Sequence, residues 1–583
     1  MNTLTRVQIL DKRLSVLEQH TGKPTVSPRR ILDRVTMLHL RLQALEKQEL
    51  DTALHLVEDT AQAEATLSPM EGITLNDKQQ HALDLAIAGE SFVLTGAAGT
   101  GKTLTVNAIA TKLLSDEVGL PMVTFRDPAG GCNDQVTKPA VAFVAYTNRA
   151  VNNMSANLRR FNPELMEELG GNYMSIHKLL EYAPEYYVNE EGNDSMRFVP
   201  RRDALNRLPI KTLVIEEASM LGMDLWQNLF KALEPSTQII LLGDLNQLPP
   251  VFGESILNYG LIQLPVVELT HVYRQALDSP IIRQAHALLQ GKGVHSDTDK
   301  FQIVCGKSNK PIGADRMGLG AVGVLSKLFD AGSYDPMQDI ILTAFNKHGC
   351  GTVMLNSLIA NFLDEKKPEP TMMYEVRAAM MTHYFAVGDL IYDAVSKDTG
   401  VITSINPNGA YYGSMPRPAS NTLNRFGISN SKDDVDEFTE AYDYGGLDVS
   451  DLESGDAEQK IMAASHVITC QMREGGEISA ATVGEVNSLS FGYCLTTHKA
   501  QGCEWRKVFM VLHNSHTLVN REWLYTAITR AKDSVAIISR ADTLDRMAAR
   551  QRIKGNSLEA KIEAFNDKLS EDKLASVTFD RRD

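Results

Sequence analysis

The chain has 583 residues, 43% of them hydrophobic and 22% charged, with a formal net charge of −15; that is ordinary globular composition with room for about three to five domains. No apolar run reaches the ~18 residues that cross a bilayer, and the charged start Met1–Leu14 does not read as a signal peptide, so no membrane association and a cytoplasmic protein are expected. Six scattered cysteines with no C-x-x-C pair set aside a zinc site or a disulfide framework, and the net acidity argues at first against a nucleic-acid partner.

Residues 1–68 form the first predicted element. Val7, Leu10, Leu14 and Leu17 repeat at helical spacing; after Pro24 and Pro28 the pattern resumes at Ile31, Val35, Leu38, Leu42 and Leu45. Two narrow apolar seams predict a helical hairpin or short coiled coil that packs on the chain itself, on a second copy or on a partner. Residues 51–70 read as a linker.

The next region alternates strand and helix, with strands expected at Phe92–Thr95, Ala140–Ala145, Thr212–Ile215 and Gln238–Leu242. That alternation predicts a parallel α/β sheet. Its first strand runs into Gly96-Ala97-Ala98-Gly99-Thr100-Gly101-Lys102-Thr103, then a helical run Leu104–Leu114. Strand, G-x-x-x-x-G-K-T and helix are the context of a phosphate-binding loop. Its glycines let backbone N–H groups curl around phosphates, and the helix N-terminus adds its dipole. Lys102 would reach the β- and γ-phosphates, and the Thr103 hydroxyl would ligate magnesium.

Further along, Tyr186-Tyr187-Val188-Asn189 and Met196-Arg197-Phe198-Val199 flank a Gly/Asn/Asp turn and read as a β-hairpin. Leu213-Val214-Ile215-Glu216-Glu217 is an apolar strand ending in two carboxylates, which beside a phosphate loop can hold magnesium and activate a water. Leu241–Pro250 is a strand followed by a rigid polar turn. A second α/β region is expected, with strands Asp339–Leu342, Val508–Leu512 and Ser534–Ile538. Within it, Val387–Ile391 and Thr399–Thr403 read as short strands of a small barrel. From Asp433 to Gln459 eleven acids occur with no Lys or Arg, leaving only −4 for the rest of the chain. The acidity is therefore local, a basic groove elsewhere is compatible with the composition, and the segment reads as a mobile insertion. Thr496–Gly502 offers small polar donors, and Tyr273-Arg274 and Tyr525–Lys532 each present an arginine suited to a γ-phosphate.

In this order, over roughly residues 73–550, the motifs resemble the set of superfamily 1 helicases, specifically the RecD/Dda-like branch. Asn76-Asp77-Lys78-Gln79 resembles the Q motif, the phosphate loop motif I, Tyr146–Ala150 motif Ia and Ser175–Leu180 motif Ib. Glu216-Glu217 resembles motif II, Gly243–Pro250 motif III, Tyr273-Arg274 motif IV, Thr497–Gly502 motif V and Tyr525–Lys532 motif VI. One departure stands out: the family has Asp-Glu in motif II, and the longer Glu216 implies a shifted or water-mediated hold on magnesium.

The resemblance implies two RecA-like parallel-sheet domains with a β-hairpin pin insertion, an SH3-like β-barrel insertion and an N-terminal helical element. The divisions are 1–68 helical; 69–267 ATP-binding motor, with the pin at 181–205; 268–380 and 488–555 second motor; 381–487 barrel with the acidic insertion; and 556–583 a C-terminal tail. It implies catalytic roles for Lys102, Glu217, Gln247, Arg274 and Arg530. ATP contacts would come from Gln79, the loop Gly96–Thr103, Tyr273 and Glu504, and magnesium contacts from Thr103 and Glu216. Nucleic-acid contacts would come from Thr147, Asn148, His177, Tyr186, Tyr187, Phe198, Thr497 and His498. The implied activity is ATP-dependent unwinding of DNA from a single strand, 5′→3′, in replication, recombination or repair, inside a bacterial or phage-infected cell, with replication proteins docking on the N-terminal helices. An RNA helicase or ribonucleoprotein remodeller, and an ATP-switched loading factor, are the other readings of the same motifs.

Overall fold

The computed structural model describes residues 74–114, 120–126, 135–163, 172–188, 194–250, 254–304, 313–347, 349–367, 372–379, 381–412, 462–473, 476–513, 516, 518–555, 557–568 and 579. The predicted N-terminal helices of residues 1–68 and the acidic segment 433–459 lie outside the described residues.

The first sheet is parallel throughout, in the order Val266–Leu269, Phe92–Gly96, Gln238–Gly243, Thr212–Glu216, Val141–Ala145, Tyr173–Ser175. Side chains alternate between its two faces, and both faces are covered. Phe92, Leu94, Phe143, Val214 and Ile240 enter one core, while Val93, Val144, Leu213, Ile215 and Leu241 enter the other. Two-sided burial is why these strands are nearly unbroken apolar runs, and each such side chain contributes roughly 1.5–3 kcal/mol.

The second sheet is also parallel, ordered Phe301–Val304, Ala531–Ile538, Trp505–Val511, Ile340–Thr343, Cys494–Thr496. It too is buried on both faces, with Leu342, Val508 and Met510 in one core and Ile341, Phe509 and Val511 in the other. The chain passes from the first parallel-sheet half to the second between Leu269, which pairs with the phosphate-loop strand, and helix Pro280–Leu289, which packs in the second core. The division expected at 268 falls inside a four-residue strand too short to leave a clear period.

A five-stranded antiparallel sheet interrupts the second half, ordered Glu477–Thr482, Ala463–Met472, Asp398–Pro407, Leu390–Asp393, Leu489–Phe491. The antiparallel hairpin Met373–Ala378/Met381–Ala386 shares its core through Val376, Ala378 and Phe385. The insertion is thus wider than 381–487. Val387 and Gly388 form a turn rather than the expected strand, with Gly388 at φ +91°. A separate antiparallel hairpin, Ala183–Val188 with Asp194–Val199, sits where the aromatic pattern placed it.

The stretch read as a C-terminal tail contains helix Leu558–Lys568, whose Phe565 is buried in the core of the first half. Phe579 packs on Trp226, ring centroids 4.9 Å apart. Three apolar residues at helical spacing among many charges were too few to mark this helix in the sequence. Among the described residues no helix is long and apolar enough to cross a membrane.

Candidate nucleotide site and strand interface

The strand Phe92–Gly96 is wholly buried and delivers the phosphate loop at its carboxyl end. Gly99 and Gly101 adopt φ of +79° and +87°, and a side chain at Gly101 would meet Gln79 Nε2 at 2.7 Å and the Tyr273 ring at 2.8 Å. Only glycine fits such a backbone so close to its neighbours. Gly101 opens helix Lys102–Leu113 without a side-chain cap, so the first N–H groups of that helix face the loop. The loop borders a cavity of about 660 Å³ lined also by Lys102, Thr103 and Tyr273. The Lys102 ammonium donates to the carbonyls of Gly96 and Ala97 at 2.6 and 3.1 Å. Those are neutral acceptors, which phosphate oxygens out-compete by charge.

Gln79 is fully buried at the start of helix Asp77–Ile87, in a reciprocal cap with Asn76. Its Oε1 accepts the Tyr273 hydroxyl at 2.7 Å, and Nε2 donates to the Gly101 carbonyl at 3.4 Å. Tyr273 N–H in turn donates to the Gly99 carbonyl at 3.3 Å. Gln79, the loop and Tyr273 are therefore one assembly. It also places the backbone of Arg274, at the start of helix Arg274–Leu277, on the phosphate-loop side of the cleft; the sequence placed that arginine in the second α/β region.

Glu216 ends the strand Thr212–Glu216. Burial raises its carboxyl to about 7, helped by Glu217 and opposed by Lys102. Glu217 takes a left-handed backbone, φ +51°, which costs a non-glycine residue of order 1–3 kcal/mol and is found mostly where function needs it. Among the described residues no three His, Cys, Asp or Glu side chains gather to hold a metal by themselves. A magnesium ion that keeps phosphate oxygens and waters needs only one or two protein ligands; Thr103 borders the phosphate-loop cavity, and Glu216 feels the charge of Lys102.

Across the cleft, helix Arg521–Ile528 lies against both the phosphate loop and the turn after strand Gln238–Gly243. The Tyr525 hydroxyl donates to Asp244 Oδ2 at 2.6 Å and accepts the Ala98 N–H at 2.7 Å. Burial and the Asp244 carboxylate hold this phenol protonated, well above the usual tyrosine range. His286 Nε2 lies 2.9 Å from the Ala98 carbonyl, which requires a proton on that nitrogen. Leu248 N–H donates to Thr526 Oγ1 at 3.0 Å, and Gln501 Nε2 donates to the Leu248 carbonyl at 2.6 Å. Gln247 is buried in this turn, its Oε1 without a hydrogen-bond partner. Arg530 is buried just past the helix, its guanidinium on the carbonyls of Thr526 and Cys503.

The expected strand contacts divide. Asn148 is exposed at the head of helix Asn148–Phe161, and Phe198 is 58% exposed on its hairpin. Tyr186 and Tyr187 lie on strand Ala183–Val188. Thr147 is buried as the N-cap of its helix, its hydroxyl accepting from Ala150 N–H. His177 stands edge-on to Tyr182 at 5.1 Å, and burial, with Lys397 nearby, lowers its pKa to about 4. Lys397, from the inserted sheet, lies 3.5 Å from the centre of the Tyr146 ring. His498 is half-buried and its pKa is lowered by burial.

Two expectations are corrected. Thr497, directly after the strand Cys494–Thr496, is fully buried with its hydroxyl unpartnered among the described residues, so it offers no surface to a nucleic-acid strand. Glu504 does not line the phosphate-loop cavity; it borders a second cleft of about 290 Å³ with Arg149, Asn153 and Lys532. The left-handed turn at Gly502, pressed on Thr147, carries it to that side. There Arg149 donates to the Glu504 carbonyl at 2.7 Å and lies over the Trp505 ring. The sequence reading missed Arg149, His286 and the role of Tyr525. Arg149 and Tyr525 stand inside quoted motifs, while His286 carries no local signal.

Residues 79–253 match the model of an AAA domain, and residues 491–538 that of the UvrD-like helicase C-terminal domain. The chain is similar to an ATP-dependent RecD2 DNA helicase of Deinococcus radiodurans, 26% identical over 479 residues that cover 82% of this chain and 51% of that protein. It is similar also to the RecBCD enzyme subunit RecD of Mycobacterium tuberculosis, 24% identical over 84% of this chain and 73% of that one. The chain thus spans about half the length of the first relative and about three quarters of the second. Among solved structures, the Pif1 helicase from Bacteroides in complex with ADP-AlF3 and ssDNA aligns over 85% of this chain and 98% of that one, with 17% identity and a TM-score of 0.43.

Proposed function

We infer that the chain is a superfamily 1, RecD-like helicase, an ATP-driven motor that moves 5′→3′ on single-stranded DNA and unwinds the duplex ahead of it. The observation that carries the two-half motor is the direct bond from the phosphate loop of one half to the helix of the other that leads to Arg530, Ala98 to Tyr525 at 2.7 Å; the DNA substrate and the 5′→3′ direction rest on the resemblance to the RecD-like helicases. Nucleotide state at the loop is thereby communicated to the relative position of the two halves, which is what a translocating motor needs.

In this reading Gln79 and Tyr273 hold the base end of ATP, and the loop amides and Lys102 hold its phosphates. Thr103 and Glu216 would hold magnesium, which would supply positive charge against the phosphates. Glu217 orients the attacking water and takes its proton. Gln247, Arg274 and Arg530 stabilise charge on the transferring group from both sides of the cleft.

On the strand side, Asn148, His177 and His498 border the path of the strand. The hairpin with Phe198, Tyr186 and Tyr187 is the pin on which the terminal base pair rests, where stacking contributes ~1–3 kcal/mol per base. The inserted antiparallel sheet is an SH3-like barrel that closes over the strand, its Lys397 reaching Tyr146 on the first half. The helices expected from the sequence of residues 1–68 would dock replication proteins in the cytoplasm of a bacterial or phage-infected cell. ATPase assays of the full chain without nucleic acid, with single-stranded DNA and with single-stranded RNA test the reading. Strong stimulation by DNA is expected; equal turnover in all three would contradict a DNA motor.

A further inference from the structure

We propose that the C-terminal helix Leu558–Lys568 is a working part of the ATP cleft, with Lys561 the positioning residue that holds the turn after Gly243 in its catalytic shape. The helix is anchored on the first half by Phe565, buried in its core; the exposed Lys568 adds only a surface ion pair to Glu254 at 2.7 Å, of the kind that contributes little. The chain leading to it is tied to the second half, where the Arg552 N–H reaches the Glu522 carboxylate at 3.1 and 3.2 Å. Glu522 and Tyr525 share helix Arg521–Ile528. The segment is therefore a strap across both motor halves.

From this strap Lys561 Nζ donates to Asn246 Oδ1. Asn246 gives both its backbone N–H and its Nδ2 to Asp244 Oδ1, at 2.9 and 3.0 Å. Asp244 Oδ2 takes the Tyr525 hydroxyl at 2.6 Å, and that hydroxyl takes the Ala98 N–H of the phosphate loop at 2.7 Å. A continuous hydrogen-bonded chain thus runs from the C-terminal helix to the crown of the phosphate loop. Polar chains of this kind strengthen one another inside a protein and fail together when one member is lost.

The electrostatics agree. Asp244 is 1% exposed, and a buried carboxylate needs both donors and a nearby positive charge. Lys561 faces Asp244 and Glu522, which favour its charge, and Arg521 and Arg552, which oppose it; burial is the largest influence and lowers its pKa. Losing the ammonium frees the Asn246 side chain to rotate and loosens Asp244, Tyr525 and the loop crown in turn. Of the groups assigned to the nucleotide, only the Ala98 N–H is in this chain; Gln79, Tyr273, Lys102 and the loop glycines are not. Turnover should suffer and nucleotide affinity should not.

The inference rests on the ATP-hydrolysing reading of the same cleft. The test is steady-state ATPase of full-length Lys561→Met with saturating single-stranded DNA; methionine keeps length and helix propensity while removing the charge. The expected result is a kcat about tenfold lower with KM for ATP within about twofold, the loss of one hydrogen bond to a polar network. Lys561→Arg, which keeps a donor, should restore most of the turnover. Lys568→Met, an exposed cation on the same helix, should turn over as wild type. Asn246→Ala removes the acceptor without touching the helix; it should reproduce the loss, and combining it with Lys561→Met should add nothing further.

Wild-type turnover in Lys561→Met or Asn246→Ala would overturn the proposal, as would an equal loss in Lys568→Met. A wild-type protein that hydrolyses no ATP would contradict the underlying reading of the cleft as well.

Discussion

Tyr525 and Asp244, 281 residues apart in the chain, share a hydrogen bond of 2.6 Å across the cleft between the two motor halves. The same hydroxyl accepts an N–H of the phosphate loop, so one side chain touches the nucleotide-binding turn, the following polar turn and the helix that leads to Arg530. Tyr525→Phe keeps the packing and deletes both bonds. Its ATP turnover should fall about 10- to 100-fold, the effect of losing a hydrogen bond to a charged group, while KM for ATP changes little. A Tyr525→Phe protein with normal DNA-stimulated ATPase would show that the contact is only structural.

Lys102→Ala should bind ATP weakly and hydrolyse it at less than about a tenth of the wild-type rate, since a point charge on transferring phosphates usually contributes at least that much. The fold should be kept, because among the described residues the hydrogen bonds of Lys102 go to loop carbonyls. Near-normal turnover, with circular dichroism unchanged, would remove Lys102 from the catalytic group.

The two adjacent carboxylates should separate by pH and by role. Glu216 is raised from 4.5 to about 7, so its ionised form is disfavoured in the folded protein. Metal-free protein therefore loses stability as pH rises from about 4.5 through 7, by roughly 3 kcal/mol once the group is fully charged. Glu216→Gln should unfold later than wild type at pH 8 and together with it near pH 4.5; a difference independent of pH would be inconsistent with a buried, raised carboxyl. Glu217→Gln should bind ATP and magnesium yet stop hydrolysis, as an amide has the shape of the base without its proton affinity.

The hairpin should separate unwinding from translocation. Replacing Tyr186, Tyr187 and Phe198 by Ala should leave DNA-stimulated ATPase largely intact, because the hairpin lies outside the nucleotide cavity. Fork unwinding should fall severalfold, since each lost stacking contact is worth ~1–3 kcal/mol per base. If the triple variant unwinds a fork as fast as wild type, the wedge is elsewhere.

What was legible in the sequence was what neighbouring residues decide. The phosphate loop, the Glu216-Glu217 strand end and the hairpin Ala183–Val188/Asp194–Val199 are each built from one or two strands and an adjoining turn, so their chemistry is written in nearly consecutive positions. The contacts that join the halves are not. Ala98 with Tyr525, Arg149 with Glu504 and Lys561 with Asn246 pair residues hundreds of positions apart, and no local pattern announces them. Burial misled in the same way. Thr497 read as a polar donor for a nucleic-acid strand, yet the residue is fully buried, and only the tertiary packing decides that.

The central claim is most directly tested by strand displacement on duplexes that differ only in the polarity of a single-stranded tail, with the full chain, ATP and magnesium. Efficient displacement from the 5′-tailed duplex, little from the 3′-tailed one, and none from either with Lys102→Ala is the expected outcome. Displacement confined to the 3′ tail would contradict the assigned direction, and displacement of neither by a protein that hydrolyses ATP would contradict the assignment as a helicase.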